Sequence, residues 1–442
     1  MYGSGIEIPK VSFASVDSSQ IAAGSYFIGF DLDSAGALSK MDSAGTITVI
    51  EGAGGGGGVI DVGSGTCSTY RIDMGNTASG YGSTVSGGYG NFAGFPGELN
   101  TVSGGYSNTA SGYYSTIGGG ALNSASLDYS TVSGGYSNLA TNIASTVSGG
   151  YSNTASGLGS TTGGGVSNNT NSVYSTISGG CSNTVSSDYG FSTISGGRFN
   201  TASSYYGCES IGGGSNNTAS GSYSTIGGGI GNTASGYGST VSGGYNNTAS
   251  NSCSTVSGGY DNVASCQYST VGGGYSNTAS GVCSTVSGGY SNTASGKHST
   301  VSGGYNNTAS GFCSTVSGGY SNVASGDCST VSGGYGNTAS CIYSTVSGGY
   351  RNNVSSQYST ISGGYRNVIS ANYSAILGGR DNRICSSYVD TFVVGSSIVP
   401  TRSCATFVNQ LSIMNLQDGL AGLPPKSVYY CSTDANRLYF VP

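Results

Sequence analysis

Twelve cysteines, one histidine and eighteen carboxylates are the side chains of this 442-residue chain that could attack a carbonyl, hold a metal or move a proton. Their spacing argues against each of these uses. Structural zinc takes four ligands, commonly from Cys-x-x-Cys pairs, but no such pair occurs and His298 stands alone, so neither metal nor cofactor is expected. A Ser-His or Cys-His catalytic pair needs a carboxylate to orient the imidazole, and none lies near His298 in sequence, which points to a protein that is not an enzyme. Gly296-Lys297 is followed by His298 where a phosphate loop requires Ser or Thr. Asp31 and Asp33 could begin a calcium site, but two carboxylates without further ligands read as a solvated strand end. A net charge of −6 and a middle region without basic clusters oppose nucleic-acid binding.

What positions these residues is a repeat, Ser-Thr-Val-Ser-Gly-Gly-Tyr-Ser-Asn-Thr-Ala-Ser-Gly-x-x, recurring about twenty times. Its opening residue steps by fifteen from Ser83 to Ser374, except at 83 to 100, 175 to 192 and 192 to 209, where the step is seventeen. A unit this short cannot bury a core alone, so each copy must be one coil of a stack. Eighty-two glycines, no tryptophan and 7% charged residues disfavour helix, and the glycines lack the collagen period. Alternation turns valine inward with the first serine of Ser-Thr-Val-Ser, and Asn-Thr-Ala-Ser repeats the pattern with alanine in a smaller slot. Each coil then holds two strands, and stacked coils about 4.8 Å apart set Asn, Ser, Thr and Tyr in ladders. The predicted fold is all-β, a β-solenoid of the parallel β-roll type with small β-rich domains at both ends. One valine and one alanine per coil bury little apolar surface against the entropy of ordering the backbone, so a homotrimer is expected to supply the rest.

The two turns of the coil differ. Gly-Gly-Tyr is nearly constant from Gly258-Gly259-Tyr260 to Gly363-Gly364-Tyr365, whereas the other turn varies and takes the two-residue insertions, so it faces outward. Candidate surface contacts are the tyrosines Tyr260, Tyr290, Tyr320 and Tyr350, the variable-turn residues Lys297 and His298, and a distal basic group of Arg351, Arg366, Arg380 and Arg383. These arginines either attract an anionic host glycan or solubilise that end. Cys208, Cys253, Cys283, Cys313 and Cys328 share the last position of the variable turn; only Cys313 and Cys328 are one coil apart, as a disulfide or as stacked thiols.

The repeat resembles the head repeats of trimeric autotransporter adhesins, in which Ser-x-Ala/Val-x-Gly strands likewise alternate with small-residue turns. The resemblance covers residues 68–395 and implies a parallel β-roll, assembled as a trimer, that binds host surfaces. The chain departs from that family in an extra residue per repeat, in the Gly-Gly-Tyr turn and in its two ends.

Residues 1–53 read as a β-rich attachment segment with strands at 21–33 and 45–51, residues 54–67 as a linker opening on five glycines, and 396–442 as a cap after the period breaks down through Arg380-Asp381-Asn382-Arg383. Met1-Tyr2-Gly3-Ser4 opens no secretory signal, no run is long enough to cross a membrane as a helix, and residues 420–442 lack barrel-anchor strands. These ends suggest a fibre or spike made in the cytoplasm and carried on the surface of a bacteriophage or other virion. It would be held to the baseplate or capsid by its N-terminal segment and bind a host-surface glycan or protein. A bacterial cell-surface adhesin or extracellular filament is the alternative reading, and an ice-binding solenoid with flat Thr and Ser arrays is a third.

Overall fold

A computed structural model describes residues 75–409 throughout, and outside them the backbones of Lys10–Val11, Tyr26–Asp31, Ala37–Asp42, Ile47–Val49, Ile60–Val62, Thr69–Arg71, Val428–Cys431 and Arg437–Phe440. The five-glycine joint and Asp33 lie outside the described residues. Among the described residues there is no helix, and none long and apolar enough to cross a membrane. The chain divides into two units, Met1–Gly197 and Arg198–Pro442, a division that falls inside the seventeen-residue step from Ser192 to Glu209.

Over residues 75–409 each unit is a parallel β-solenoid built from two ladders of mostly two-residue strands, while Tyr26–Asp31 with Ala37–Asp42 in the first unit and Val428–Cys431 with Arg437–Phe440 in the second pair antiparallel. In the first unit one ladder runs from Thr84–Val85 to Thr193–Ile194 and the other from Thr77–Ala78 to Thr184–Val185. In the second unit the ladders run from Ser210–Ile211 and from Thr201–Ala202, with like residues in register, as in Thr285↔Thr300 and Thr293↔Thr308. Period-two alternation buries the expected side chains: Ser284, Val286, Asn292 and Ala294 are fully buried, while Thr285 and Thr293 face outward. A third line of backbone contacts joins successive tyrosine positions, with Tyr290 N–H donating to Gly304 O at 2.9 Å.

The asparagines hold the Gly-Gly turn. Asn307 Nδ2 donates to Gly303 O in its own coil and to Gly319 O in the next, both at 2.9 Å, while its Oδ1 accepts the N–H of Asn322 at 2.9 Å. One buried amide thus satisfies Gly303 O and the Asn322 N–H, and gives a second donor to Gly319 O, which already accepts the Tyr305 N–H. The second glycine of the turn is obligatory for a different reason. At Gly289, φ is +94° and a Cβ would sit 2.3 Å from Gly304 O, whereas one on Gly288 would meet nothing closer than 3.9 Å.

Two corners in each coil use the left-handed region, in most coils without glycine. Ser291 follows the tyrosine at φ 51°, and His298 ends the variable turn at φ 59°. Each is held by an N–H bond to the preceding coil, Ser291 to Tyr275 O and His298 to Val282 O, both at 2.9 Å. The surrounding ladder over-determines a conformation that is locally unfavourable.

The period continues past the point where sequence places its breakdown. Arg380 bridges Tyr365 in the tyrosine slot, Asn382 extends the asparagine column, and Arg383–Ile384 pairs with Val368–Ile369. Only exposed identities change there. The inward asparagine and aliphatic residue, which carry the coil, are kept, and the next step is a further seventeen, from Ser374 to Thr391. Ala405–Val408 then adds a parallel strand to Thr391–Val394 beyond residue 395. The described valines and alanines of both slots have at most 2% exposure in a single chain, so the core closes without a neighbour. The asparagine column and three backbone ladders add hydrogen bonds to this small apolar core.

Candidate functional site

The coil brings the candidate residues to two separate edges. Tyr260, Tyr290, Tyr320 and Tyr350 join one ladder in the second unit, running every fifteen residues from Tyr245 to Tyr365. Its successive ring centroids lie 4.7 to 5.0 Å apart, with planes within 12°. Parallel stacking at the coil rise covers both faces of every interior ring. What remains open, 40% of Tyr260 and 43% of Tyr290, is ring edge and hydroxyl. The ladder is therefore a row of phenol donors and acceptors rather than a platform on which a sugar or base could stack. The first unit has shorter stacks, such as Tyr89 with Tyr106 at 5.6 Å and Tyr136 with Tyr151 at 5.3 Å.

Tyr260 holds its proton above the ordinary phenol range. The adjacent Asp261 carboxylate is the first cause, followed by desolvation and by the neighbouring phenols Tyr275 and Tyr245.

Arg351 and Arg366 occupy the left-handed corner after the last two tyrosines, at φ 52° and 54°. Each guanidinium leans over the preceding ring, 5.2 Å from the Tyr350 centroid and 5.9 Å from that of Tyr365. Arg366 also reaches Asp381, one coil on, at 3.9 Å. Arg380 takes the tyrosine slot itself, and Arg383 points outward from the adjoining strand.

Lys297, His298, Cys313 and Cys328 lie on the other edge. His298, Cys313 and Cys328 fill the same corner position in consecutive coils, and the Cys313 and Cys328 amides donate to Lys297 O and Phe312 O. Both cysteines are free thiols, Cys313 exposed and Cys328 half-buried. The His298 ring meets Phe312 edge-on at 5.8 Å, and the Asp327 carboxylate accepts the Phe312 N–H at 3.0 Å. No group of three metal-ligating side chains forms among the described residues.

Sequence reasoning missed two features. Thr162 and Thr170 place hydroxyls in both inward slots of the first unit, a departure visible as Thr-Thr and Asn-Thr where Thr-Val and Thr-Ala are the rule. Glu209, in the place of the inward serine, is buried and accepts a hydrogen bond from Ser204 within an inserted turn.

The sequence profile described as Ubiquitous surface protein adhesin repeat matches residues 145–157, 284–296, 299–311 and 314–326. Each match begins at an inward serine and ends at the glycine that opens the variable turn, so it spans both strands and the Gly-Gly-Tyr turn. No curated protein matches the sequence. The matches and the parallel coils together fit the resemblance to head repeats of trimeric autotransporter adhesins.

Proposed function

We propose that this chain is an adhesive surface fibre whose coils serve as scaffold and whose two outward edges make many weak contacts with a target surface. The observation that carries this reading is the coincidence of the adhesin-repeat matches with coils whose conserved-in-register part is structural and whose exposed tyrosines recur at every layer. Contacts repeated at the coil spacing raise avidity without strong individual sites. A homotrimer would multiply them again. Support for a structural rather than catalytic role comes from the adhesin repeats.

The adhesin repeats favour a cell-surface or extracellular placement. Purified full-length protein on beads should adhere to animal or microbial cells far above an albumin control. Immunogold labelling of the source should decorate the envelope or matrix. Labelling confined to virus particles would instead place the fibre on a virion, with capsid or baseplate as its anchor. Beads that adhere to no cell or matrix surface would end the adhesive reading.

A further inference from the structure

We infer that the Gly-Gly-Tyr edge over residues 350–383 binds an acidic polysaccharide through Arg351, Arg366 and Arg380. The inference deepens the adhesive reading by naming a ligand class, and it rests on that reading for its biological setting only. From Asn246 onward the corner column of the second unit reads Asn246, Asp261, Ser276, Ser291, Asn306, Ser321, Gly336, then Arg351 and Arg366, and then Asp381. Arg380 follows in the neighbouring tyrosine slot. Three cations therefore occupy three consecutive coils, about 4.8 Å apart along the stack, and Arg383 flanks them on the next strand.

One carboxylate, Asp381, opposes them among the described residues of these coils' edge. Its 3.9 Å contact with Arg366 joins side chains 61% and 47% exposed, a pairing that water and salt weaken and a stronger anion can displace. The Arg351 and Arg366 guanidiniums lie over the Tyr350 and Tyr365 rings, and each carries the fork of N–H donors from which carboxylate and sulfate accept bidentate bonds.

The ligand class follows from what this edge lacks as much as from what it has. Single-stranded nucleic acid relies on aromatic faces for base stacking, and neutral sugars use such faces too. Here Tyr350 is covered on both faces by Tyr335 and Tyr365, and Tyr365 has Tyr350 on one side and Arg380 in the next slot on the other. A polymer with anionic groups for the arginines and hydroxyls for the phenol row suits both features. Carboxylated and sulfated chains share that chemistry.

The test uses the full chain on immobilised heparin, polygalacturonate, dextran and oligo-dT, with binding read against salt. Retention on heparin or polygalacturonate, none on dextran, and loss at high salt are expected; comparison of the first two separates sulfate from carboxylate. R351Q/R366Q/R380Q should lower affinity at least ten-fold, D381N should raise it, and K297Q, on the other edge, should leave it unchanged. Circular dichroism verifies that each variant keeps the wild-type fold. Unchanged binding by the folded triple variant, equal binding to dextran, or tighter binding to oligo-dT would overturn the inference. A triple variant that still adheres to cells but not to polysaccharide keeps both conclusions, with another edge carrying adhesion. Wild-type protein that binds heparin but no cell refutes the adhesive reading alone.

Discussion

Thr162 and Thr170 face each other across the core of the first unit with their hydroxyl oxygens 2.8 Å apart, both fully buried. Everywhere else among the described residues these inward slots hold Val, Ile or Ala. Thr162 also donates to Thr154 O at 3.1 Å, so the pair forms a small satisfied network where the rule is apolar contact. Removing one hydroxyl strands the other. We predict that Thr162→Val destabilises its coils by about 1 to 2 kcal/mol, whereas Thr162→Val with Thr170→Val, which keeps shape and leaves no orphan, is near neutral. Hydrogen exchange of the amides around residues 154–177 is the appropriate measurement, because a solenoid can open locally. Equal losses in single and double variants would refute the coupling.

Asn307→Ala should be among the most damaging single changes on the column. It orphans the carbonyl of Gly303 and the buried N–H of Asn322, and takes one of two donors from Gly319 O, which keeps the Tyr305 N–H. The expected loss is about 3 kcal/mol, on the scale of leaving buried groups unsatisfied. Limited proteolysis should find the Gly-Gly turns of the neighbouring coils newly cleavable, and a proteolytic pattern identical to wild type would contradict this role.

The two glycines of one turn should respond oppositely to the same methyl group. Gly289→Ala places Cβ 2.3 Å from Gly304 O at φ +94°, where the next coil's backbone must shift, so markedly weaker folding is expected. Gly288→Ala meets nothing closer than 3.9 Å and should leave thermal unfolding nearly unchanged. Comparable behaviour of the two variants would be inconsistent with this turn geometry.

Raised proton affinity at Tyr260 carries a definite sign. The folded chain keeps this proton at a pH where the unfolded phenol, with its ordinary value of 10.0, has lost it. The contribution to stability is thus fully present below 10.0 and falls as pH rises through the folded value. Asp261→Asn removes the first cause and should move the Tyr260 titration downward, as read by ultraviolet difference titration of each protein against its Tyr260→Phe partner. An unmoved midpoint would rule out the carboxylate as the main cause.

Both inward slots of the coil were legible from Ser-Thr-Val and Asn-Thr-Ala, because alternation is a property of the strand backbone and needs no knowledge of neighbours. Arg380 was misplaced for an equally physical reason. Its reading depended on the exposed tyrosine and threonine identities that vary freely, while Asn382 and Ile384 kept the buried positions. The left-handed corners had a weaker signal in the recurring Ser, Asn, Asp and Gly after tyrosine, which tolerate that conformation best among ordinary residues.

By itself the sequence determined the parallel-solenoid class, the coil length, the slots that face inward and the columns in which like residues stack, since all of these follow from a period and a two-residue alternation. The tertiary structure alone decided that tyrosine faces are sealed by their neighbours, that Asn307 reaches two coils, and that Gly289 lies against Gly304 O. It also decided that Arg351 and Arg366 share an edge with the tyrosines while Lys297, His298 and the thiols occupy the other. The tyrosine, asparagine and glycine contacts join atoms twelve to fifteen residues apart in the chain, set by the rise and packing of one coil on the next, which a period predicts in order but not in contact.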